Sequence, residues 1–232
     1  QIILSVGPRD GAHSEYLFVD TEWREYTTDF VSSDTDLDGS VGFYLGVDED
    51  GTTLWLDSIT LTDLGPDACA LNESNPVRGG DFTYGAACWE RIQSTLDHYG
   101  SFTTDPDAPV SPPSLRVEQR GTTEDTVPYI MQRDLPVEAG RAYDLSFAAR
   151  ATEARPIDLI FTADNPLSVT LQAQRALGTT WQPHHLRFVA DPEQGSGNAL
   201  LMFMFGQGGN ATVWLDDVRL TDICLLYTSP SP

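Results

Sequence analysis

The chain has 232 residues, and with 35 acidic and 13 basic side chains its formal net charge is −22. This balance disfavours nucleic acid, anionic membranes and sulfated or uronate-rich polymers as partners, because no basic surface could neutralise them. No segment approaches the run of roughly 20 apolar residues that spans a bilayer. Frequent Gly and Pro and short apolar runs of period two indicate an all-β protein.

Residues 22–63 and 181–222 form an internal repeat. Each copy contains an apolar run of period two, a Gly- and Asp-rich turn and a final strand that ends in Thr-Asp. The matched pairs are Trp23 with Trp181, Phe30 with Phe188, Gly46 with Gly206, Trp55 with Trp214 and Asp57 with Asp216. We therefore predict tandem copies of one β module.

The two copies differ in what precedes them, because only the second follows a long series of strand-like segments. We predict that residues 1–64 are the C-terminal part of a truncated module, residues 65–69 a linker, and residues 70–223 a complete module. Residues 224–232, CLLYTSPSP, fit neither copy and resemble the translated end of a transposase adapter used in preparing sequencing libraries. A short natural tail is the alternative.

Cys69 and Cys88 bracket the first strand of the complete module. Such a close pair predicts a disulfide bond and an oxidising, extracellular compartment. Two free buried thiols or two metal ligands are the alternatives. The metal alternative lacks support, since no Cys-x-x-Cys motif or partnering His cluster is present.

Three segments of the complete module carry a family resemblance: LNESNPVRGGDFTYG at 71–85, LPVEAGRAYDLSFAARA at 135–151 and VWLDDVRL at 213–220. In this order they resemble carbohydrate-binding modules of the group that contains families four, nine and twenty-two. The resemblance implies a β-jelly-roll sandwich of two antiparallel sheets, one of which is concave and holds a glycan. It also implies non-catalytic polysaccharide binding by tandem modules of a larger secreted glycoside hydrolase.

The candidate sugar-binding residues combine aromatic planes with planar polar groups, because a sugar ring offers a flat face of C–H groups and a rim of hydroxyls. They are Arg91, Tyr129, Gln132, Trp89 and Tyr99. The resemblance places Arg91, in a loop, and Tyr129 in the cleft, so we expect both to face one groove. Trp89 could instead plug the end of the sandwich.

At other positions the alternation along the strand does not decide between a role in the cleft and a purely structural role. Trp214 lies opposite the core, on either the cleft or the outer convex surface. Met202 and Met204 line the cleft floor or simply pack. His184 and His185 lack the spacing of a metal site, and we expect both to be exposed on a strand.

Many members of this group hold a structural calcium, and carboxylates on closing strands suit such a hard, oxygen-ligated ion. Asp216 is the best candidate ligand, together with Asp217 or Asp81. The alternative is that Asp216 only accepts backbone hydrogen bonds at a strand bend.

Catalysis is not predicted for this chain, and we expect any catalytic domain in a part of the parent protein outside it. The close acidic pairs, which a glycosidase would need across a cleft, sit in turn-like settings. They are Asp20 with Glu22, Asp48 with Asp50 and Glu124 with Asp125. A spacer or adhesion module without sugar binding is the alternative function. A groove with two exposed aromatics and several polar side chains favours binding, whereas a face of Ala, Ser and Thr favours a spacer.

Overall fold

The computed structural model describes residues 2–7, 13–17, 19, 21–28, 40–45, 53–63, 65, 69–70, 74–92, 98–110, 112–121, 127–163, 169–190, 199–206 and 210–223. Within these ranges the regular structure consists of strands, and no helix long and apolar enough to cross a membrane occurs there. The tail at 224–232 lies outside the described residues.

Among the described residues, thirteen strands form three antiparallel sheets. Their bounds are β1 Ile2–Gly7, β2 His13–Leu17, β3 Ser40–Leu45, β4 Glu90–Ile92, β5 His98–Asp105, β6 Ser114–Gly121, β7 Tyr129–Leu135, β8 Ala142–Ala151, β9 Arg155–Ala163, β10 Val169–Leu177, β11 Gln182–Val189, β12 Ala199–Met204 and β13 Ala211–Asp222. The small sheet has the order β2-β1-β3. We call the order β10-β9-β12-β7-β4 sheet I and the order β11-β8-β13-β6-β5 sheet II.

Sheets I and II bury one face each against a common core. The alternation predicted for β12 is confirmed, since Leu201 and Phe203 are 0% exposed while Met202 between them is half-buried. Phe147 of sheet II meets Phe203 of sheet I edge to face, with ring centroids 5.2 Å apart. The two antiparallel sheets therefore form the β-sandwich jelly roll that the sequence predicted.

His184 belongs to this core, so the prediction that it is exposed was wrong. It is 9% exposed and stacks on Phe147 with ring centroids 4.9 Å apart. In β11 it pairs with Phe147, whereas its neighbour His185 pairs with Ser146 on the outer face and is exposed. Burial lowers the pKa of His184, and the charges of Arg175 and His185 lower it further. A neutral imidazole can replace an apolar side chain here because its ring offers a stacking face.

The predicted disulfide between Cys69 and Cys88 is present, with Cα atoms 5.3 Å apart. It ties the start of the module to the turn that precedes β4. The metal and free-thiol alternatives are therefore excluded for this pair.

The closing strand β13 contains a bulge that is tied to the leading segment of the module. Its register against β8 shifts between Asp216 and Arg219, and Asp217 has a φ of 52°. The Val218 amide donates to the Gly80 carbonyl at 2.8 Å, and the Asn75 side-chain amide donates to the Val218 carbonyl at 3.0 Å. The bulge moves the buried side of β13 from odd to even residues.

The repeat segment at 53–63 is similar in sequence to β13 but lies in no strand. Ser58 has a φ of 55° and donates its amide to Asp57 Oδ1 at 2.8 Å. Asp217, its match in β13, has the same sign of φ and donates to Asp216 Oδ1 at 2.7 Å. The local turn is therefore alike in both copies, although Trp55 is 73% exposed and Trp214 only 8%.

We predict that Gly80→Ala destabilises the sandwich, because an added Cβ would lie 2.1 Å from the Val218 carbonyl oxygen. The backbone must shift to relieve this overlap, at a cost of about 1–3 kcal/mol in the free energy of unfolding. Urea denaturation measures the change. Gly178→Ala is the matched control, since its Cβ would have its nearest neighbour at 3.5 Å. Equal stability of the two variants would contradict the prediction that the sandwich requires the close contact between Gly80 and the Val218 carbonyl.

Candidate functional site

The outer face of sheet I carries all three methionines of the chain. On the middle strand β12, Met202 lies opposite Met131 of β7 and opposite Ile160 of β9. Met204 lies opposite Tyr129 of β7. Directly opposed side chains on one face of a sheet are close enough to contact. We call these five residues the methionine floor.

The floor is only partly covered. Met202, Met204, Tyr129 and Ile160 are half-buried, and Met131 is 5% exposed. The guanidinium of Arg133 reaches the Met131 sulfur at 3.7 Å. The floor therefore offers a soft apolar surface that a ligand could cover further.

Polar pairs flank the methionine floor on both sides. On one side Gln174 of β10 donates to Asp158 of β9 at 3.0 Å, and Asp158 lies opposite Met204. On the other side Arg133 of β7 forms an ion pair with Glu90 of β4 at 3.1 Å. Five strands spaced about 4.8 Å apart make this face about 19 Å wide. Such a strip, apolar in the middle and polar at the edges, suits an extended neutral ligand.

Tyr129 keeps its place as a candidate, because it stands on this outer face and is half-buried. It is the one aromatic side chain of the strip among the described residues. The criterion of two exposed aromatics is thus not met by these residues, although several polar side chains are present.

Arg91 does not share the face of Tyr129, so the expectation of a common groove was wrong. Arg91 lies on strand β4 and not in a loop, and its partner in β7 is Ile130, which is 0% exposed. Tyr129 pairs one position further along, with Ile92. Adjacent residues of a strand point to opposite faces, so Arg91 takes the core side of this sheet edge. There its Nη1 donates to Thr28 Oγ1 at 3.4 Å.

Gln132 is also corrected, because it is 1% exposed and its amide serves the fold. Its Oε1 accepts from the Arg78 amide at 3.0 Å, and its Nε2 donates to the Arg78 carbonyl. It lies opposite the buried Leu201 on the core side of β7. Both polar ends of the side chain are thus used by the backbone of the leading segment.

Trp89 is a core residue and not a sugar platform. It is 4% exposed, stacks on Phe82 at 5.9 Å and meets Phe203 edge on at 6.0 Å. Its Nε1 donates to the Gly79 carbonyl at 3.3 Å. The alternative in which Trp89 plugs the sandwich is therefore the correct one.

Tyr99 belongs to β5 of sheet II, where it pairs with Arg120. It therefore lies on a different sheet from Tyr129, and its side chain is outside the described part of the chain. The acidic pairs considered for catalysis fall wholly or partly on undescribed residues as well.

The indole of Trp214, on the outer face of sheet II, is covered by neighbouring side chains. Trp214 is 8% exposed, and the Arg150 guanidinium carbon lies 3.7 Å from its ring centroid. The indole Nε1 donates to Asp105 at 2.9 Å, and Arg150 donates to Asp107 at 2.6 Å. This cation–π stack leaves little of the indole face for a sugar. The structure thereby decides what parity left open for Trp214.

A depression of about 410 Å³ lies at one end of sheet II. Its lining is Glu118, Gln119, Thr152, Asn210, Ala211 and Thr212. It contains no aromatic plane, so we place the candidate site on sheet I, where flat and polar groups occur together.

Sequence reasoning missed six residues of this face, which are Glu90, Met131, Arg133, Asp158, Ile160 and Gln174. The available signal in the sequence was the period of two along each strand, which places every second side chain on the same face. In β9 the buried Leu159 separates Asp158 from Ile160, so these two half-buried side chains share the outer face.

Asp216 occupies the bulge of β13 and is 1% exposed. Its Oδ1 accepts the Asp217 amide, while its Oδ2 is buried without a hydrogen-bond partner. Burial raises its pKa to about 6, and the negative charges of Asp217 and Asp81 act in the same direction. Backbone amides of Asp217 and Val110 oppose this shift. An orphaned, buried carboxylate oxygen fits a cation ligand.

The remaining side chains supply less than a full metal cage. Within the described part of the chain, no group of three His, Cys, Asp or Glu side chains is arranged to hold a metal ion. Any calcium at Asp216 would therefore need most of its oxygen ligands from main-chain or amide carbonyls and from water.

We predict that Asp216 makes the metal-free protein less stable as the pH rises. The folded state holds the proton more tightly than the unfolded chain, so the contribution is fully present below a pH of about 4. It is lost as the pH rises through about 6. A shift of about two pKa units corresponds to a change on the order of 3 kcal/mol. Denaturation in chelator from pH 4 to 7 should show this slope, and Asp216→Asn should lose it. Parallel pH profiles of the two proteins would contradict the assignment.

Comparisons with known proteins place the fold. No protein-family model matches the chain, and no curated protein matches it significantly. A solved family 4 carbohydrate-binding module (CBM4) has a TM-score of 0.50 and 18% identity, covering 63% of this chain and 99% of that chain. The enzymatically active domain of tailspike protein 4 from bacteriophage CBA120 has a TM-score of 0.54 and 20% identity, over 65% of this chain and 22% of that chain.

These likenesses show a common fold at low sequence identity. The chain shares a jelly-roll sandwich fold with a carbohydrate-binding module, which confirms the fold that the sequence resemblance implied.

Proposed function

We propose that the outer face of sheet I binds a neutral polysaccharide or oligosaccharide. The observation that carries the proposal is the juxtaposition of Tyr129 and the methionines with two flanking polar pairs on one sheet face. A glycan chain has this same combination of apolar ring faces and polar edges. The shared fold with a carbohydrate-binding module supports the proposal.

Neutral glycans are favoured by charge. With a net charge of −22 the protein repels polyanions at a distance, and the floor itself offers no excess of cations. The cation nearest the floor, Arg133, is already paired with Glu90.

In the larger setting, we propose an extracellular accessory role beside a separate glycoside hydrolase domain. The Cys69–Cys88 disulfide supports an oxidising compartment. Tandem modules would raise avidity for a polymer through a high effective concentration of the second site.

We predict that Tyr129→Ala weakens glycan binding about fivefold or more, because the loss of one stacking ring costs on the order of 1 kcal/mol. Isothermal titration of the full chain against xylan, mixed-linkage glucan, laminarin and cellulose oligosaccharides measures the affinity. Arg187→Ala is the matched control, since Arg187 is exposed on the outer face of sheet II.

The control should bind as tightly as the unmodified protein. Loss of binding in Arg187→Ala with full binding in Tyr129→Ala would move the site to sheet II. No binding by the unmodified chain to any of these glycans would favour the spacer function.

We also propose that a calcium ion binds at Asp216, where it would neutralise the buried carboxylate and stabilise the bulge. Calcium should then raise the thermal midpoint of the unmodified protein at pH 7.5 and leave that of Asp216→Asn unchanged. Glu153→Gln, which removes an exposed acid, is the control and should respond like the unmodified protein. An equal response of Asp216→Asn, or none in any protein, would refute the calcium site.

A further inference from the structure

The centre of the proposed glycan site is aliphatic and thioether in character. Of its five residues, three are methionines and one is Ile160, and Tyr129 stands at one end of β7. Flat stacking of an unsubstituted sugar ring depends on aromatic planes. Methionine instead adapts its three rotatable bonds to irregular apolar shapes. The floor is therefore built to receive apolar groups that project from a chain.

The polar groups beside the floor are engaged with one another. Gln174 binds Asp158, and Arg133 binds Glu90. A sugar hydroxyl laid on Met202 would lose its hydrogen bonds to water without meeting a polar partner there. A densely hydroxylated ring face is thus a poor match for the middle of the strip.

An O-acetyl group changes this balance. It replaces a hydroxyl donor with a methyl group that can contact Met202 and Met204, which are half-buried and therefore reachable. Its carbonyl oxygen can accept from an N–H group at the edge of the floor. The Gln174 amide and the Arg133 guanidinium each carry more N–H groups than the two pairs described above use. The ester is neutral, so it adds no repulsion from the acidic protein.

We propose that this face selects O-acetylated neutral glycans over the same glycans without acetyl groups. The proposal rests on the proposed function, since it names the ligand class of that site. The methionines at 202 and 204 determine the selectivity, and Tyr129 adds affinity for either form.

The test uses one batch of acetylated xylo-oligosaccharides or glucomannan oligosaccharides, half of which is saponified with alkali. Isothermal titration of the full chain compares the two halves. We expect at least tenfold tighter binding of the acetylated half. Equal or tighter binding of the saponified half overturns the selectivity and leaves the proposed function standing. No binding of either half, together with none to other neutral glycans, overturns the proposed function itself.

Two double variants test the role of the floor. Met202→Gln with Met204→Gln makes the floor polar at similar side-chain length, and we expect the ratio between the two halves to fall to near one. Met202→Leu with Met204→Leu keeps the floor apolar, and we expect the preference to persist. Unchanged thermal midpoints verify folding. A preference that survives in the Gln variant, or that is lost equally in the Leu variant, would show that these methionines do not carry it.

Discussion

The sandwich depends on the bulge in β13 and its ties to the leading segment. Before the bulge, Val213 and Leu215 enter the core, and after it Val218 and Leu220 do so. One inserted residue makes this change. Two hydrogen bonds of Val218 hold it in place, because the Val218 amide donates to the Gly80 carbonyl and the Val218 carbonyl accepts from the Asn75 side chain. A strand of twelve residues can thereby keep its apolar side chains inside while its backbone turns around the core.

The outer faces of sheets I and II differ in how far their own side chains cover them. The segment after Gly80 leads through the buried Trp89 into β4, which completes the edge of sheet I. Sheet II covers its own aromatic, Trp214, with the Arg150 guanidinium. Sheet I leaves Tyr129 and two methionines half-exposed, and its charged groups pair at the margins. The face that remains open is therefore apolar in the middle, and the proposed ligand preference rests on this feature.

On the regular strands the alternation of side chains predicted which residues share a face, but it did not show that His184 of β11 is buried. Phe147, Phe188 and Phe203 stand at core-facing positions of this alternation, and all three are buried. The alternation did not predict the positions of side chains that depend on contacts with distant parts of the chain. Arg91 lies on the core side of the sheet because it belongs to the short strand β4 and pairs with Ile130. Gln132 is buried, and its side-chain amide hydrogen-bonds to the backbone of Arg78. The partners of Arg91 and Gln132, which are Ile130 and Arg78, are distant in sequence, so no local pattern predicts these contacts.

The two copies of the repeat show which structural features the local sequence determines and which it does not. By itself the sequence determined the alternating strands, the disulfide pair and the turn at Asp57–Ser58 and Asp216–Asp217, because short-range sterics and one side-chain hydrogen bond fix that turn in both copies. Only tertiary structure decided that Trp214 is buried while Trp55 is exposed. Strands β6 and β8 flank Trp214 on both sides, whereas the segment 53–63 lies in no sheet. Burial needs neighbours from distant parts of the chain, and their positions are not encoded in the residues being buried.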